Sequence, residues 1–278
     1  MNGVVEAIIV LVIILVSMIL HELMHGLVAY WLGDTTAKDD GRLTLNPISH
    51  IDPYMSLVLP MVLYLIGAPV FGGAKPVPIN SRNLKWREWG MALVAIAGPF
   101  TNFMLAFVGF LVFRFGGQSE IALTFTSINL GFMIFNLLPI PPLDGSRVLY
   151  ALAPDKVREA MTRMESYGVF IVYGLILVLG GVFSSLMIGA MNGVWRFFFF
   201  ITNPKNPPHL VNYHQAIRHK FYRRKPQLQC LFHPFLQGII LCYPRRCKSY
   251  KFTASPQHPP VFPQNKISNP RRPRITFR

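Results

Sequence analysis

Apolar residues arrive here in runs too long for most folds other than a membrane bundle. Residues 4–32, 55–71, 91–113, 121–138 and 167–194 are each near or above the ~20 residues of helix that cross a hydrocarbon core. Hydrophobic residues make up 52% of the 278-residue chain, more than a soluble domain of this size needs. The first run does not read as a secretory leader. It lacks a basic start, and its apolar pattern continues through Gly26-Leu-Val-Ala-Tyr-Trp-Leu32. The expectation is an all-α, polytopic membrane protein with about four to six spanning helices.

Charge divides the chain in two. Residues 203–278 carry 15 Lys and Arg and no acid, so they account for the whole formal charge of +15, whereas residues 1–202 balance to zero. The same stretch holds all three cysteines, Cys230, Cys242 and Cys247, which leaves the apolar part without disulfides or thiolate ligands. Residues 203–278 read first as a basic, Pro-rich, disordered tail lying on an anionic membrane surface. A non-native extension is the second reading. A nucleic-acid-binding arm, or a small zinc site from Cys230, His233, Cys242 and Cys247, is the third. No nucleic-acid partner is expected.

Inside the first apolar run stands HELMH. On a helix His21 and His25 are four residues apart and share one face, so two imidazoles can reach one metal ion. Glu22 is angled away from that pair but within reach of a water held there. This is the HExxH arrangement of zinc peptidases, two ligands and a general base. A chance match is the alternative, but ionisable groups inside a membrane span are rare and usually functional.

A catalytic zinc normally has three protein ligands. Two acids lie near the apolar interior downstream, Glu120 at a helix end and Asp144 in FNLLPIPPLDGSRVL. The run of Pro139, Pro141 and Pro142 cannot be regular helix, and irregular backbone at membrane depth has to be buried in protein or line a cavity. That setting suits a ligand. Read from these residues alone, however, Asp144 as the cap of a helix starting at Gly145 is the better account.

HELMH, followed by Asn136-Leu-Leu-Pro-Ile-Pro-Pro-Leu-Asp-Gly145, resembles the site-2 protease family of intramembrane zinc metalloproteases. That family's N-x-x-P-x-P-x-L-D-G segment is matched at every fixed position. Ala97-Gly-Pro-Phe-Thr-Asn-Phe103 resembles its G-P-x-x-N helix, and LNPISHIDP and GAKPVP resemble two further segments. The resemblance covers residues 1–195 and implies one zinc ion per chain, held by His21, His25 and Asp144, with Glu22 as general base. It further implies that Asn102 stands near the zinc and steadies an oxyanion, with helix packing as the alternative role. Asn136 is placed similarly. His50 and Asp52 read as loop residues.

A peptide bond in a helix is shielded, so a membrane substrate must unwind before it is cut, and an extended chain can be held by a strand edge. Residues 42–45, Arg-Leu-Thr-Leu, alternate as a short strand would. Lys75 and Pro76 belong to a Pro-rich stretch suited to an edge. Short β or re-entrant segments that clamp the substrate are therefore expected between the helices, with Lys75, Pro76 and Asn136 as substrate-binding residues. The plain-loop reading stays open beside it.

Residues 1–202 thus form the expected metalloprotease domain, in a compact form without an inserted peptide-binding or nucleotide-sensing domain. The expected activity is zinc-dependent cleavage of single-span membrane proteins in or near their spans. The expected location is a bacterial plasma membrane, as a multi-pass protein in contact with the lipid bilayer. The alternatives are an inactive membrane scaffold, or a transporter with an intramembrane metal site. On a five-span count the loops 72–90 and 139–166 hold eight Lys and Arg against three in 34–54 and 114–120, which makes the first side cytoplasmic. Simple spans also put HELMH and Asp144 at different depths, so one segment must be broken.

Overall fold

The structure, a computed structural model, describes residues 3–65, 73, 75–117 and 119–202. The basic stretch 203–278 lies outside the described residues. Every regular element among them is helical. In chain order these are α1 (Gly3–Trp31), α2 (Thr36–Asp39), a 3-10 turn (Pro47–His50), a π-helical stretch (Pro53–Val58) running into α3 (Leu59–Leu65), and α4 (Arg87–Phe115). Then follow α5 (Glu120–Asn136), α6 (Asp144–Leu152), α7 (Asp155–Glu165) and α8 (Gly168–Thr202).

Among the described residues, three helices are long and apolar enough to cross a membrane: Ile8–Trp31 within α1, Arg87–Phe115, and Phe170–Thr202 within α8. The described residues thus show three such helices where about four to six were expected. The segment expected at 55–71 is described only to residue 65, as the π-helical stretch and α3. The segment expected at 121–138 is α5, whose 17 residues extend about 25 Å, less than the ~30 Å hydrocarbon thickness.

No strand forms among the described residues. At 42–45 the alternation is real, but the neighbouring backbone bonds are local. Arg42 N–H donates to the Ala37 carbonyl at 2.8 Å and Asn46 N–H to Thr44 Oγ1 at 3.1 Å, so this stretch closes a turn where a ladder was expected. Residues 75–79 have no regular secondary structure.

Packing runs outward from α4, which touches α1, α5 and α6. α8 covers α5 and α4 with aromatic side chains. Phe110 is fully buried, with ring centroids 4.9 Å from Phe199 and 5.3 Å from Phe198. In lipid these contacts gain little from leaving water, so close fit and ring geometry carry them. α8 is bent at Leu179, where φ is −107° and ψ 20°.

Asp34, fully buried after α1, ties the first loop to the stretch before α4. Its carboxylate accepts from Asn80 N–H at 2.6 Å, Thr36 Oγ1 at 2.5 Å, Thr36 N–H at 3.2 Å and Asn83 Nδ2 at 3.2 Å. Burial alone would raise its pKa, but these four donors hold it below the ordinary carboxylate value. The result is that residues 75–80 are pinned against α1, one wall of the site.

Candidate metal centre

His21 and His25 project from one face of α1 into the space beside α4, and both are buried. They can enter because residue 98 is glycine. A Cβ there would meet the Nε2 of His25 and stand 2.6 Å from that of His21, closer than any real side chain tolerates. Pro99, next on α4, has no N–H to offer the Ala95 carbonyl. One residue before Ala95, the Val94 carbonyl accepts the His25 Nδ1–H at 2.7 Å.

The outer nitrogen of His21 is held by a relay. Asn129 Nδ2 donates to the Phe125 carbonyl at 2.9 Å, which leaves Asn129 Oδ1 to accept Asn102 Nδ2, also at 2.9 Å. Asn102 Oδ1 is thereby turned to accept His21 Nδ1–H at 2.6 Å. Both asparagines are fully buried, so each amide end needs its partner.

With both Nδ1 atoms committed as donors, each Nε2 carries a lone pair. These two lone pairs face one another at 3.0 Å, and Asp144 Oδ2 lies 3.1 Å from the first and 3.4 Å from the second. Three electron-rich atoms converging within 4.8 Å are mutually repulsive unless a cation lies among them. Two imidazoles and one carboxylate, each able to offer one atom, are the donor set of a catalytic zinc site with a position left open. The residues fit the metal.

Asp144 reaches this point because the proline-rich turn folds tightly. It is the first residue of α6, and a Cβ on Gly145 would stand 2.6 Å from the Leu138 carbonyl oxygen. Glu120, the other acid considered, is exposed at the start of α5 and belongs to no metal-binding group among the described residues.

Glu22 is half-buried. Its Oε2 accepts Val77 N–H at 3.1 Å, while Oε1 has no hydrogen bond among the described residues. A cavity of about 230 Å³ opens here, lined by Glu22, His25 and Asp144 and, from the stretch 75–79, by Pro76, Val77 and Ile79. Arg42 braces that stretch from behind. Its buried guanidinium donates to the carbonyls of Lys75 at 2.8 Å and Pro76 at 3.2 Å, and Lys75 N–H donates to the His50 carbonyl at 2.8 Å.

The structure thus brings His21, His25, Asp144, Glu22, Asn102 and Pro76 together. Lys75 takes part through its backbone and its side chain is outside the cavity lining. Asn136 ends α5 and does not line the cavity either. His50 is buried and donates Nε2–H to the Thr44 carbonyl at 2.8 Å, and Asp52 Oδ1 accepts Tyr54 N–H at 2.8 Å; both stay in the loop. Arg42 and Asn129 were not singled out in the sequence. An arginine beside an apolar alternation, and a second asparagine inside an apolar helix, were the signals that could have found them.

The sequence profile of Peptidase family M50 matches residues 115–179, which include α5, the proline-rich turn and Asp144. The chain is 44% identical over 172 residues to YwhC of Bacillus subtilis, covering 57% of this chain and 75% of that protein. It is 31% identical over 164 residues to Rip2 of Mycolicibacterium smegmatis, 57% of this chain and 62% of that protein. To MJ0611 of Methanocaldococcus jannaschii it is 37% identical over 146 residues, 51% and 69% of the two chains. All three relatives bear the name putative zinc metalloprotease. No solved structure matches the chain significantly. Similarity of this extent to YwhC, with the family profile spanning Asp144, places the chain in Peptidase family M50, the site-2 protease family.

Proposed function

We propose that this chain is a zinc-dependent endopeptidase that hydrolyses peptide bonds in or near the spans of single-span membrane proteins, from within a bacterial plasma membrane that it crosses several times. The observation that carries the reading is the convergence of two imidazole lone pairs and the Asp144 carboxylate beside a glutamate, with both histidines and the glutamate on a helix long and apolar enough to span a bilayer.

His21, His25 and Asp144 hold the metal. Zinc bound there supplies a Lewis acid that polarises the scissile carbonyl and acidifies water to a pKa of about 7. Glu22 takes the proton from the attacking water through Oε1, its unbonded oxygen, and returns it to the departing amine nitrogen. Val77 N–H fixes the other oxygen and so the direction of the carboxylate. Asn102 acts on His21, since its Nδ2 is already given to Asn129; this favours a positioning role over direct oxyanion contact. The position of residues 75–79 supports the clamp reading. They form the cavity wall with Pro76, Val77 and Ile79, and an unwound substrate lying along them faces Glu22. Residues 1–202 hold every residue of this machinery.

Glu22→Gln is the test. The variant should keep one zinc per chain and lose cleavage of membrane-embedded peptides, by about a factor of 100 or more. Zinc retained with function unchanged would favour a scaffold or a transporter instead. Asp144→Ala, measured beside it, should lower zinc content clearly.

A further inference from the structure

A second, larger cavity adjoins the metal centre. It measures about 580 Å³ and lies where the first turn of α4 meets α6 and α7. Three arginines line it, Arg82, Arg87 and Arg147, with Glu88 and Glu165. Arg147 and Met91 line both cavities, so the two share a wall. An exposed arginine is ordinarily just a solvated surface group. Here three observations go further.

First, the cations are unevenly matched. Arg147 is ion-paired to Glu165, but Arg82 and Arg87 have no ion-pair partner among the described residues. Glu88 is also without an ion pair among those residues, so the lining keeps a net charge of +1 with two unpaired guanidiniums in one concavity. Second, the backbone around Arg87 is strained: φ is 61° at Trp86 and 43° at Arg87. That left-handed conformation is rare for residues with large side chains and tends to persist at functional sites. Third, Arg147 lies three residues after Asp144 on α6, on the same face and about 4.5 Å further along the axis. An extended peptide advances about 3.3 Å per residue. A substrate side chain one to three residues from the cut bond therefore comes within reach of Arg147, the arginine that lines both cavities.

We infer that this cavity is a specificity subsite which receives an acidic side chain of the substrate, one to three residues from the scissile bond. The inference rests on the peptidase reading above. A carboxylate matches both the single net charge and the forked donors of a guanidinium. An anionic lipid headgroup shares that chemistry, but the wall shared with the cavity at the metal centre favours the substrate chain itself.

The experiment uses the full chain, loaded with zinc, in neutral detergent. It is given a pool of synthetic single-span peptides with randomised residues flanking the span, and products are sequenced by mass spectrometry. Asp and Glu should be enriched about tenfold at one position near the cut, as one charge-assisted hydrogen bond implies. In Arg82→Glu/Arg87→Glu that enrichment should vanish and Lys or Arg should replace it, with peptides neutral at that position cut within about threefold of the parent rate. Should that variant lose zinc, Arg82→Gln/Arg87→Gln should still abolish the enrichment without reversing it. No acidic enrichment in the parent, or enrichment that survives both variants, overturns the inference and leaves the peptidase standing. An effect of the variants seen only after adding phosphatidylglycerol overturns it in favour of a headgroup site. No cleavage of any peptide, matching Glu22→Gln, overturns the peptidase reading and this inference with it.

Discussion

His21 Nδ1 lies 2.6 Å from Asn102 Oδ1, and that one contact decides which nitrogen of His21 is left to bind a cation. The amide is turned the right way only because Asn129, anchored on the Phe125 carbonyl, takes its other end. Partners of this kind fix a ligand's tautomer and ring orientation and raise its basicity.

Asn102→Ala should therefore weaken zinc binding about 10- to 100-fold, read by competition against a chelator. Asn129→Ala should weaken it less, since Asn102 stays and only its orientation is freed. Equal affinity in all three proteins would mean the relay has no hold on the metal.

Gly98→Ala places a methyl group where two imidazoles stand. Neither ring can rotate away without giving up the Val94 or Asn102 bond. The expected outcome is reduced zinc stoichiometry together with a stability loss of about 1–3 kcal/mol, measured by metal analysis and thermal melting. A variant with full zinc would show that α4 can shift away from α1.

Arg42→Ala removes the donor to two carbonyls of the cavity wall. Left unpaired, they should cost about 1–3 kcal/mol. The ligands are untouched, so zinc content should hold while KM for a membrane-embedded peptide rises. Loss of zinc would assign Arg42 to the fold at large and not to the wall.

Asp34 gives a pH dependence with a definite sign. Its folded-state pKa is lowered, so it stabilises the fold above the unfolded carboxylate value, about 3.9, and that contribution is lost as pH falls through the lower, folded value. Asp34→Asn should melt at a lower temperature near pH 7 and should lose less further stability than the parent on acidification. Parallel melting curves across pH would rule out Asp34 as a source of acid sensitivity.

How much of this was legible before the fold was known depends on distance along the chain. HExxH is local, and helical spacing alone puts both histidines on one face. Asp144 stood out as an acid directly after a proline run that cannot be regular helix, but capping was the better account until the resemblance was weighed. Asn129 was hidden because its partner is 27 residues away on another helix, and no periodicity connects them. Gly98 could be matched to a motif, yet its purpose, room for two rings from α1, is a property of the α1–α4 approach. At 42–45 alternation suggested a strand. Four residues are too few to outweigh local turn bonds, and the arginine's partners lie 33 and 34 residues downstream. Span number suffered similarly, since apolar length does not say whether a helix such as α5 crosses or turns back.

Asp144 follows His21 by 123 positions, and the interval has a consequence in time. Chain growth at roughly 5–20 residues per second puts about 6–25 s between synthesis of the two. Through that period α1 is already available to enter the bilayer, beside other newly inserted proteins, while its histidines lack their carboxylate. The order of synthesis therefore makes the metal centre a late product of translation, complete only once the proline-rich turn has been made.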